Sequence, residues 1–174
     1  MKLATWNVNS LNVRLPHVLD WLRDNPIDVF CLQETKQENS RFPYEDLQTA
    51  GYDAIHNGQT TYNGVAILSP HVMTDVEHGI AGFDDEQKRV ISATINDVRV
   101  VCVYIVNGQA VDSEKYEYKM RWLNALNSWL ANELRKYPNL VLLGDYNIAP
   151  EDRDCHDPIL WQGQILVSPK EREH

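Results

Sequence analysis

The sequence predicts a layered α/β domain. Short apolar runs alternate along the chain with segments of helical periodicity, which is the order expected when helices cover the faces of a sheet. Two of these runs, residues 28–33 (DVFCLQ) and 140–143 (LVLL), have almost no polar face, which is typical of strands buried on both sides. A length of 174 residues, with 43% hydrophobic and 24% charged residues, fits one globular domain over residues 1–174 with a sizeable core.

The first part of the chain alternates strand, helix and strand. Residues 2–8 (KLATWNV) predict the first strand. Apolar residues at helical spacing predict a helix over 11–24, which Asn25-Pro26 ends because a residue before proline is disfavoured in a helix. Residues 28–33 predict the second strand, and this order favours a right-handed β-α-β unit. A further short helix is predicted near 43–50.

The middle of the chain predicts an antiparallel region followed by one long helix. Short strands are predicted at 52–56, 64–69, 72–77, 89–95 and 98–105, with a hairpin turn at Asn96-Asp97. The long helix begins after an N-cap at Asp112 or Ser113 and runs to about Lys136. After Pro150 the pattern degrades and no closing strand follows, so we expect a domain that is truncated at its C-terminal end.

Charge and cysteine content narrow the classes of protein. A formal net charge of −9 argues against tight non-specific nucleic-acid binding, although a metal site is itself built from carboxylates and bound cations reverse the local field. Three widely spaced cysteines, Cys31, Cys102 and Cys155, predict neither a disulfide framework nor a zinc site. With no apolar run of membrane-spanning length and no secretory signal pattern, we expect a cytoplasmic protein without a membrane partner.

Polar side chains able to bind metal or phosphate follow three of the predicted strands. They are Asn7 and Asn9, Gln33 and Glu34, and Asp145 and Asn147. Carboxylate and amide oxygens suit Mg²⁺, and strand ends of a rigid sheet position such groups accurately. A single polar residue at a strand end is more often a turn former, which applies above all to Asn9. Glu34 directly follows a buried run and needs a partner, so the combination predicts a divalent-metal site.

Six motifs occur in the order and spacing of one family. They are WNVNSL at 6–11, LQETK at 32–36, NGVAILS at 63–69, Y-x-x-NG at 104–108, KYEYK at 115–119 and GDYNIAP at 144–150. The sequence closely resembles the exonuclease III family of apurinic/apyrimidinic endonucleases, within the DNase I-like metal-dependent phosphoesterase superfamily. The resemblance implies a four-layer αββα sandwich in which the C-terminal part of the second sheet is missing from this chain.

The resemblance also implies roles for individual residues. It assigns Asn7, Glu34, Asp145 and Asn147 to the metal and the phosphate, with Asp145 activating or orienting the attacking water and Tyr104 approaching the phosphate. The implied cofactor is Mg²⁺, with Mn²⁺ as the alternative. Four basic residues are expected to contact the DNA backbone, while an ordinary solvated charge is the alternative for each: Lys36, Arg89, Lys115 and Lys119.

By this resemblance the protein is a DNA-repair phosphodiesterase that incises duplex DNA 5′ to abasic sites, trims damaged 3′ ends, or both. Family members also use an aspartate and an Asp-His pair from a C-terminal segment that this sequence does not match, and neither His156 nor His174 inherits that role. Two alternatives stay open. One is another phosphoesterase of the superfamily acting on inositol phosphates or sphingomyelin, and the other is a non-catalytic fragment or binding module.

Overall fold

The computed structural model describes residues 1–174 and contains two four-stranded sheets. The strands are β1 (Leu3–Asn7), β2 (Val29–Gln33), β3 (Asp53–Asn57), β4 (Val65–Ser69), β5 (Thr74–His78), β6 (Val90–Ile95), β7 (Val98–Tyr104) and β8 (Leu140–Asp145). The helices are α1 (Leu11–Asp24), α2 (Tyr44–Thr49), α3 (Glu114–Lys136), α4 (Pro158–Trp161) and α5 (Pro169–Arg172).

The first sheet has the strand order β1-β2-β4-β3 and the second has the order β5-β6-β7-β8. Only two pairs are parallel, β1 with β2 and β7 with β8, and each is joined through a helix, α1 or α3. Short turns connect antiparallel strands, whereas parallel strands need a crossover, so the helices occur where the topology requires them. The predicted strand-helix-strand beginning is confirmed.

The two sheets pack face to face, and β2 illustrates why. All five of its residues are buried. Phe30 and Leu32 pack with residues of α1 and α2, whereas Val29 and Cys31 pack against the second sheet, because successive side chains point to opposite faces of a strand. A strand with a helix on one side and a sheet on the other has no polar face, which accounts for the unbroken run VFCLQ.

Helix α3 covers the outer face of the second sheet and completes four layers. The Ser113 hydroxyl caps the helix by accepting a hydrogen bond from the Tyr116 backbone N–H. Four buried residues form the face of α3 that packs on the sheet: Trp122, Leu123, Leu126 and Trp129. Beside them Arg99 of β7 forms an ion pair with Glu133 of α3, Nε to Oε2 3.1 Å, and both side chains are fully buried.

The chain after β8 forms only short elements. Helices α4 and α5 have four residues each, and side-chain oxygens of Asp157 and Ser168 cap them. In the second sheet β8 is an edge strand, and all six of its residues are partly exposed. The three cysteines are unpaired, and Cys31 and Cys102 are buried. None of the helices has the length and apolar character needed to cross a membrane.

Candidate active site

The carboxylates of Glu34 and Asp145 are joined by the side chain of Asn7 at one rim of the sandwich. The Asn7 amide donates to Glu34 Oε1 at 2.7 Å and to Asp145 Oδ2 at 2.8 Å. These residues end β1, follow β2 and end β8. Because β1 and β2 run parallel, their carboxyl ends meet at one edge, and the stacked second sheet brings the end of β8 beside them. The structure therefore brings together three of the predicted metal-binding residues.

A tight backbone turn presents the Glu34 carboxylate. Glu34 and Lys36 both have φ of +54°, a left-handed conformation that non-glycine residues adopt at some cost. Neighbouring segments hold the turn, since the backbone N–H of Thr35 donates to Gly64 O and that of Lys36 to Asn63 O. These hydrogen bonds to the NGVAILS motif offset the cost of the strained backbone and fix the direction of the Glu34 carboxylate.

His56 supports the same turn through Thr35, and no motif of the sequence indicated this role. Its Nε2 lies 2.8 Å from the Thr35 hydroxyl, and its ring stacks on Phe42 at a centroid distance of 4.1 Å. Burial, with a smaller contribution from His78, lowers the pKa of His56 to about 4. His56 therefore stays neutral at physiological pH and serves as a rigid packing and hydrogen-bonding partner.

We predict that His56 makes the fold acid-sensitive. Its folded-state pKa is lowered, so its stabilising contribution is present above the ordinary pKa near 6.5 and is lost as pH falls towards 4. Between pH 7 and pH 5 the free energy of unfolding should fall by about 2 kcal/mol more in the wild type than in His56→Gln. Urea denaturation at both pH values measures this. His17→Gln, at an exposed position of α1, should keep the wild-type slope, and equal slopes for all three proteins would refute the prediction.

On the opposite side of the site, the loop after β8 carries Asn147. Its backbone N–H donates to Asp145 Oδ1 at 3.1 Å, and its side-chain amide donates to Ile105 O at 3.0 Å. Asn107 donates in turn to Asn147 Oδ1 at 3.2 Å, and Asn107 is exposed. The Y-x-x-NG motif contained Asn107, but nothing in the sequence paired it with Asn147. Each amide keeps a second N–H, so the two side chains form a pair of neutral donors beside the carboxylates.

Tyr104 lies between the carboxylates and Arg89. The Arg89 guanidinium carbon lies 4.6 Å from the centroid of the Tyr104 ring, and Arg89 Nη1 donates to the Tyr104 carbonyl. Burial, then the charge of Glu34, raises the pKa of Tyr104 to about 12. The Tyr104 hydroxyl therefore stays protonated and can donate a hydrogen bond throughout the physiological pH range.

Electrostatics keep Glu34 ionised. Partial burial opposes its charge, but hydrogen bonds from Asn7, Lys36 and Tyr104 outweigh that cost and lower the pKa of the Glu34 carboxyl. Lys36 forms an ion pair with Glu34, Nζ to Oε2 2.9 Å, and also donates to the Asn9 side chain. Asn9 thus orients the Lys36 ammonium beside the site and forms no hydrogen bond with either carboxylate.

Two of the predicted residues do not lie where the sequence analysis placed them. The side chain of Gln33 points between the sheets, where it donates to Thr5 and Cys102, so it is part of the core. Lys119 was expected to contact the DNA backbone, but its side chain is fully buried and pairs with Glu171. A buried ammonium cannot reach a phosphate in solvent, so that expectation is wrong for Lys119. Lys115 is exposed and lines a surface groove together with Arg89, Asn107 and Tyr62.

The donor set at the rim fits a hard divalent cation. Two carboxylates face each other across one amide, all candidate ligand atoms are oxygens, and no group of three or more His, Cys, Asp or Glu side chains offers a competing site. Mg²⁺ is commonly held by one or two carboxylates, with water and substrate phosphate completing its shell. Glu34 and Asp145, with Asn7 beside them, are the residues that would hold it.

An αββα sandwich with paired carboxylates at the rim of its two sheets is the arrangement of a phosphodiester-hydrolysing nuclease. The chain belongs to the Endonuclease/Exonuclease/phosphatase family, whose model matches residues 4–164. The family is divalent-metal-dependent.

Among proteins of known sequence, the chain is 33% identical to an exodeoxyribonuclease of Bacillus subtilis, over 99% of this chain and 69% of that protein. Among solved structures, it is 50% identical to the 3′ phosphatase NExo from Neisseria bound to product DNA hairpin, with a TM-score of 0.98 over 99% of this chain and 68% of that one. It is 37% identical to an AP endonuclease from Archaeoglobus fulgidus, with a TM-score of 0.93 and coverages of 99% and 67%. These likenesses confirm the DNase I-like sandwich.

The chain spans between 57% and 69% of the length of three curated relatives that it matches, from Bacillus subtilis, Haemophilus influenzae and Danio rerio. The matched portion contains the whole arrangement of Asn7, Glu34, Tyr104, Asp145 and Asn147.

Proposed function

We propose that this chain is the part of a Mg²⁺-dependent DNA-repair phosphodiesterase that carries the metal-binding half of the active site. The observation that carries the proposal is the single Asn7 amide that donates to both Glu34 and Asp145. Two carboxylates held this close repel each other, and a bound divalent cation offsets that repulsion. The candidate ligands are all oxygen atoms, which suit Mg²⁺ and Mn²⁺ alike, and we propose Mg²⁺ with Mn²⁺ as the alternative.

Each residue has a distinct part in the proposed hydrolysis. Asp145 accepts a proton from, and orients, the attacking water, and its own direction is fixed by Asn7 and the Asn147 backbone N–H. Asn107 and Asn147 donate to the non-bridging oxygens of the phosphate without adding charge. The Tyr104 hydroxyl, held protonated, exchanges its hydrogen bond to Glu34 for one to the same phosphate. Bound Mg²⁺ supplies Lewis-acid stabilisation of the charge that develops on the phosphate and the leaving oxygen.

The proposed polymer substrate is DNA, and the distribution of charge around the site supports it in spite of the net charge of −9. Lys36 lies against Glu34, and Lys115 lines the groove that begins at Asn107. Exposed lysines beside a divalent cation attract a phosphate backbone locally, although they do not make the whole surface basic. We propose Lys36 and Lys115 as backbone contacts. Arg89 lines the same groove but is only 9% exposed, and its Nε and Nη1 are bonded to Gln87 and to the Tyr104 carbonyl, so only its Nη2 is left to contact a phosphate.

Processing of damaged 3′ ends is the preferred reaction, and incision 5′ to abasic sites is the second candidate. The preference rests on 50% identity to a 3′ phosphatase against 37% identity to an AP endonuclease. Both reactions use in-line attack of water on a phosphate ester at one metal centre, so the same residues serve either. The three unpaired cysteines are compatible with the reducing cytoplasm that we propose as its location.

An assay with three DNA substrates tests the function. The purified chain, alone and together with a C-terminal segment that supplies the Asp-His pair, is incubated with a hairpin ending in a 3′-phosphate, a duplex containing an abasic site and a duplex with an intact recessed 3′ end, each with Mg²⁺ or EDTA. With that segment present we expect Mg²⁺-dependent release of phosphate from the first, and at least a 100-fold loss in Glu34→Ala and in Asp145→Asn. Asp20→Asn, at an exposed position of α1, is the control.

The remaining outcomes separate the alternatives. Cleavage in EDTA, or full activity in Glu34→Ala, contradicts the proposed centre. Hydrolysis of an inositol phosphate or sphingomyelin in preference to DNA favours another branch of the superfamily. Metal-dependent binding of DNA without cleavage assigns the chain as a binding module, which requires a segment supplying the Asp-His pair in order to act.

A further inference from the structure

Lys119 of α3 lies fully buried directly beneath the two asparagines of the site. Its ammonium donates to the backbone carbonyl of Asn147 at 2.7 Å and to that of Asn107 at 3.2 Å. Its remaining N–H donates to the Glu171 carboxylate. Three donors thus meet three acceptors, and the ammonium has no hydrogen left for a ligand.

Two other hydrogen bonds join the starts of the two loops that Lys119 contacts: the Ile105 backbone N–H donates to Asp145 O at 2.9 Å, and the Asn147 side-chain amide donates to Ile105 O at 3.0 Å. Asn107 lies in the loop after β7 and Asn147 in the loop after β8. Their side chains are joined by the bond from Asn107 Nδ2 to Asn147 Oδ1, 3.2 Å long, in which an exposed residue takes part. The buried Lys119 ammonium is the group that bonds the backbone carbonyls of both Asn107 and Asn147, and its charge-assisted hydrogen bonds hold the two residues at one separation.

Glu171 anchors Lys119 to the C-terminal segment. Its Oε1 also accepts from the Leu166 backbone N–H, and its Oε2 accepts from the backbone N–H and the hydroxyl of Ser168. Ser168 is hydrogen-bonded to Tyr116 of α3 at 2.6 Å. The ammonium therefore has one fixed position, set by α3 and by the segment that includes α5.

We propose that Lys119 is a positioning residue that sets the spacing of the Asn107 and Asn147 amides so that both reach one phosphate. The proposal rests on the proposed function for the identity of that phosphate. In this proposal Lys119 does not contact DNA itself. It acts through the backbone carbonyls of Asn107 and Asn147, whose side chains are the proposed phosphate contacts. Only a charge-assisted donor with several N–H groups can hold two carbonyls and a carboxylate at once, so neither a neutral amide nor an apolar residue replaces it.

The chain offers a matched control in the Arg99–Glu133 pair. Both pairs join α3 to another segment and both are fully buried, but Arg99 contacts Asp75 O and Tyr137, away from the two asparagines. Removing one member of a buried pair leaves an unpaired charge, so the test uses double variants that remove both charges of the pair. These are Lys119→Met/Glu171→Gln and Arg99→Met/Glu133→Gln, compared after both have been shown to unfold cooperatively.

The first measurement needs no ligand. In ¹⁵N spectra of the full chain, the side-chain amide signals of Asn107 and Asn147 should shift and broaden in the Lys119 double variant and stay in place in the Arg99 double variant. Unchanged signals in the Lys119 double variant overturn the proposal, whether or not the chain binds DNA.

The second measurement is the affinity for a 3′-phosphorylated DNA hairpin, with Ca²⁺ in place of Mg²⁺ to slow turnover. We expect Kd to rise at least tenfold in the Lys119 double variant and less than twofold in the Arg99 double variant.

The dependence of log Kd on log salt should keep its slope in the Lys119 double variant, whereas Lys115→Met should reduce the slope by about one. A slope reduced by one in the Lys119 double variant would make Lys119 a phosphate contact and overturn the proposal. Failure of the wild type to bind the hairpin would contradict the proposed function, and the ¹⁵N spectra alone would then test the role of Lys119.

Discussion

Replacing Glu34 by glutamine is expected to weaken Mg²⁺ binding about 100-fold, or about 2.7 kcal/mol. Glu34 is one of two carboxylates at the rim, and its charge is maintained by hydrogen bonds from Asn7, Lys36 and Tyr104 that lower its pKa. Two unit charges 4 Å apart at an effective dielectric constant near 20 interact by about 4 kcal/mol, and solvent around this partly exposed side chain reduces that value. Glutamine has nearly the same shape and can still accept from Asn7, so the loss isolates the charge.

Isothermal titration with Mg²⁺, repeated with Mn²⁺, measures the effect of the Glu34 substitution. Glu45→Gln is the control, since Glu45 is an exposed acidic residue of α2 and its replacement changes the net charge equally. Its affinity should equal that of the wild type. An affinity for Glu34→Gln within threefold of the wild type would mean that the cation binds elsewhere.

Replacing Gly144 by alanine is expected to cost about 3 kcal/mol of folding free energy, because steric overlap and backbone strain add. Gly144 lies in β8 with φ of +152°, and a Cβ added there would lie 1.9 Å from the carbonyl oxygen of Val103 in the neighbouring strand. The clash is with backbone that is paired in the β7–β8 ladder, so it cannot be relieved by a side-chain rotation. Since Asp145 follows directly, the strand end that carries it should shift as well.

Urea denaturation measures the loss of stability in Gly144→Ala, and Gly51→Ala supplies the control. Gly51 also has a positive φ, +89°, but no atom lies within 4 Å of the Cβ that alanine would add. Gly51→Ala should lose only about 1 kcal/mol of folding free energy, which is the cost of backbone strain alone. Equal losses in the two variants would contradict the close approach of β7 and β8. The metal affinity of Gly144→Ala, measured under folded conditions, should also fall, and that of Gly51→Ala should not.

The sequence predicted the strands and long helices well where one periodicity was unambiguous. The helix expected over 11–24 is α1, Leu11–Asp24, and the cap at Ser113 is correct. The short α4 and α5 were missed, since four residues make about one turn and cannot display helical periodicity. Their formation depends on caps and on contacts such as Glu171 with Lys119, which are tertiary.

The candidate site could be predicted in part from the sequence. Glu34 and Asp145 stand at the ends of apolar strands, which marks each of them as a candidate. They lie in different sheets, and the face-to-face packing that brings β1 beside β8 unites them. Burial on a helix face is harder to anticipate: Lys119 belongs to the motif KYEYK, and nothing in that motif shows that it faces inward while Lys115 faces solvent. His56 was not predicted because its partner, Thr35, lies 21 residues earlier in the chain, and no local pattern encodes such a contact.

Crystals soaked in Mn²⁺ offer the sharpest test of the proposal that Glu34 and Asp145 together bind one catalytic divalent cation. An anomalous difference map should show a peak at the rim, about 2.1 Å from a carboxylate oxygen of Glu34 and within direct or water-mediated reach of Asp145. The peak should vanish in crystals of Glu34→Gln soaked in the same way. A map without a peak between these two carboxylates, while Mn²⁺ appears elsewhere on the chain, would show that Glu34 and Asp145 do not hold the cation.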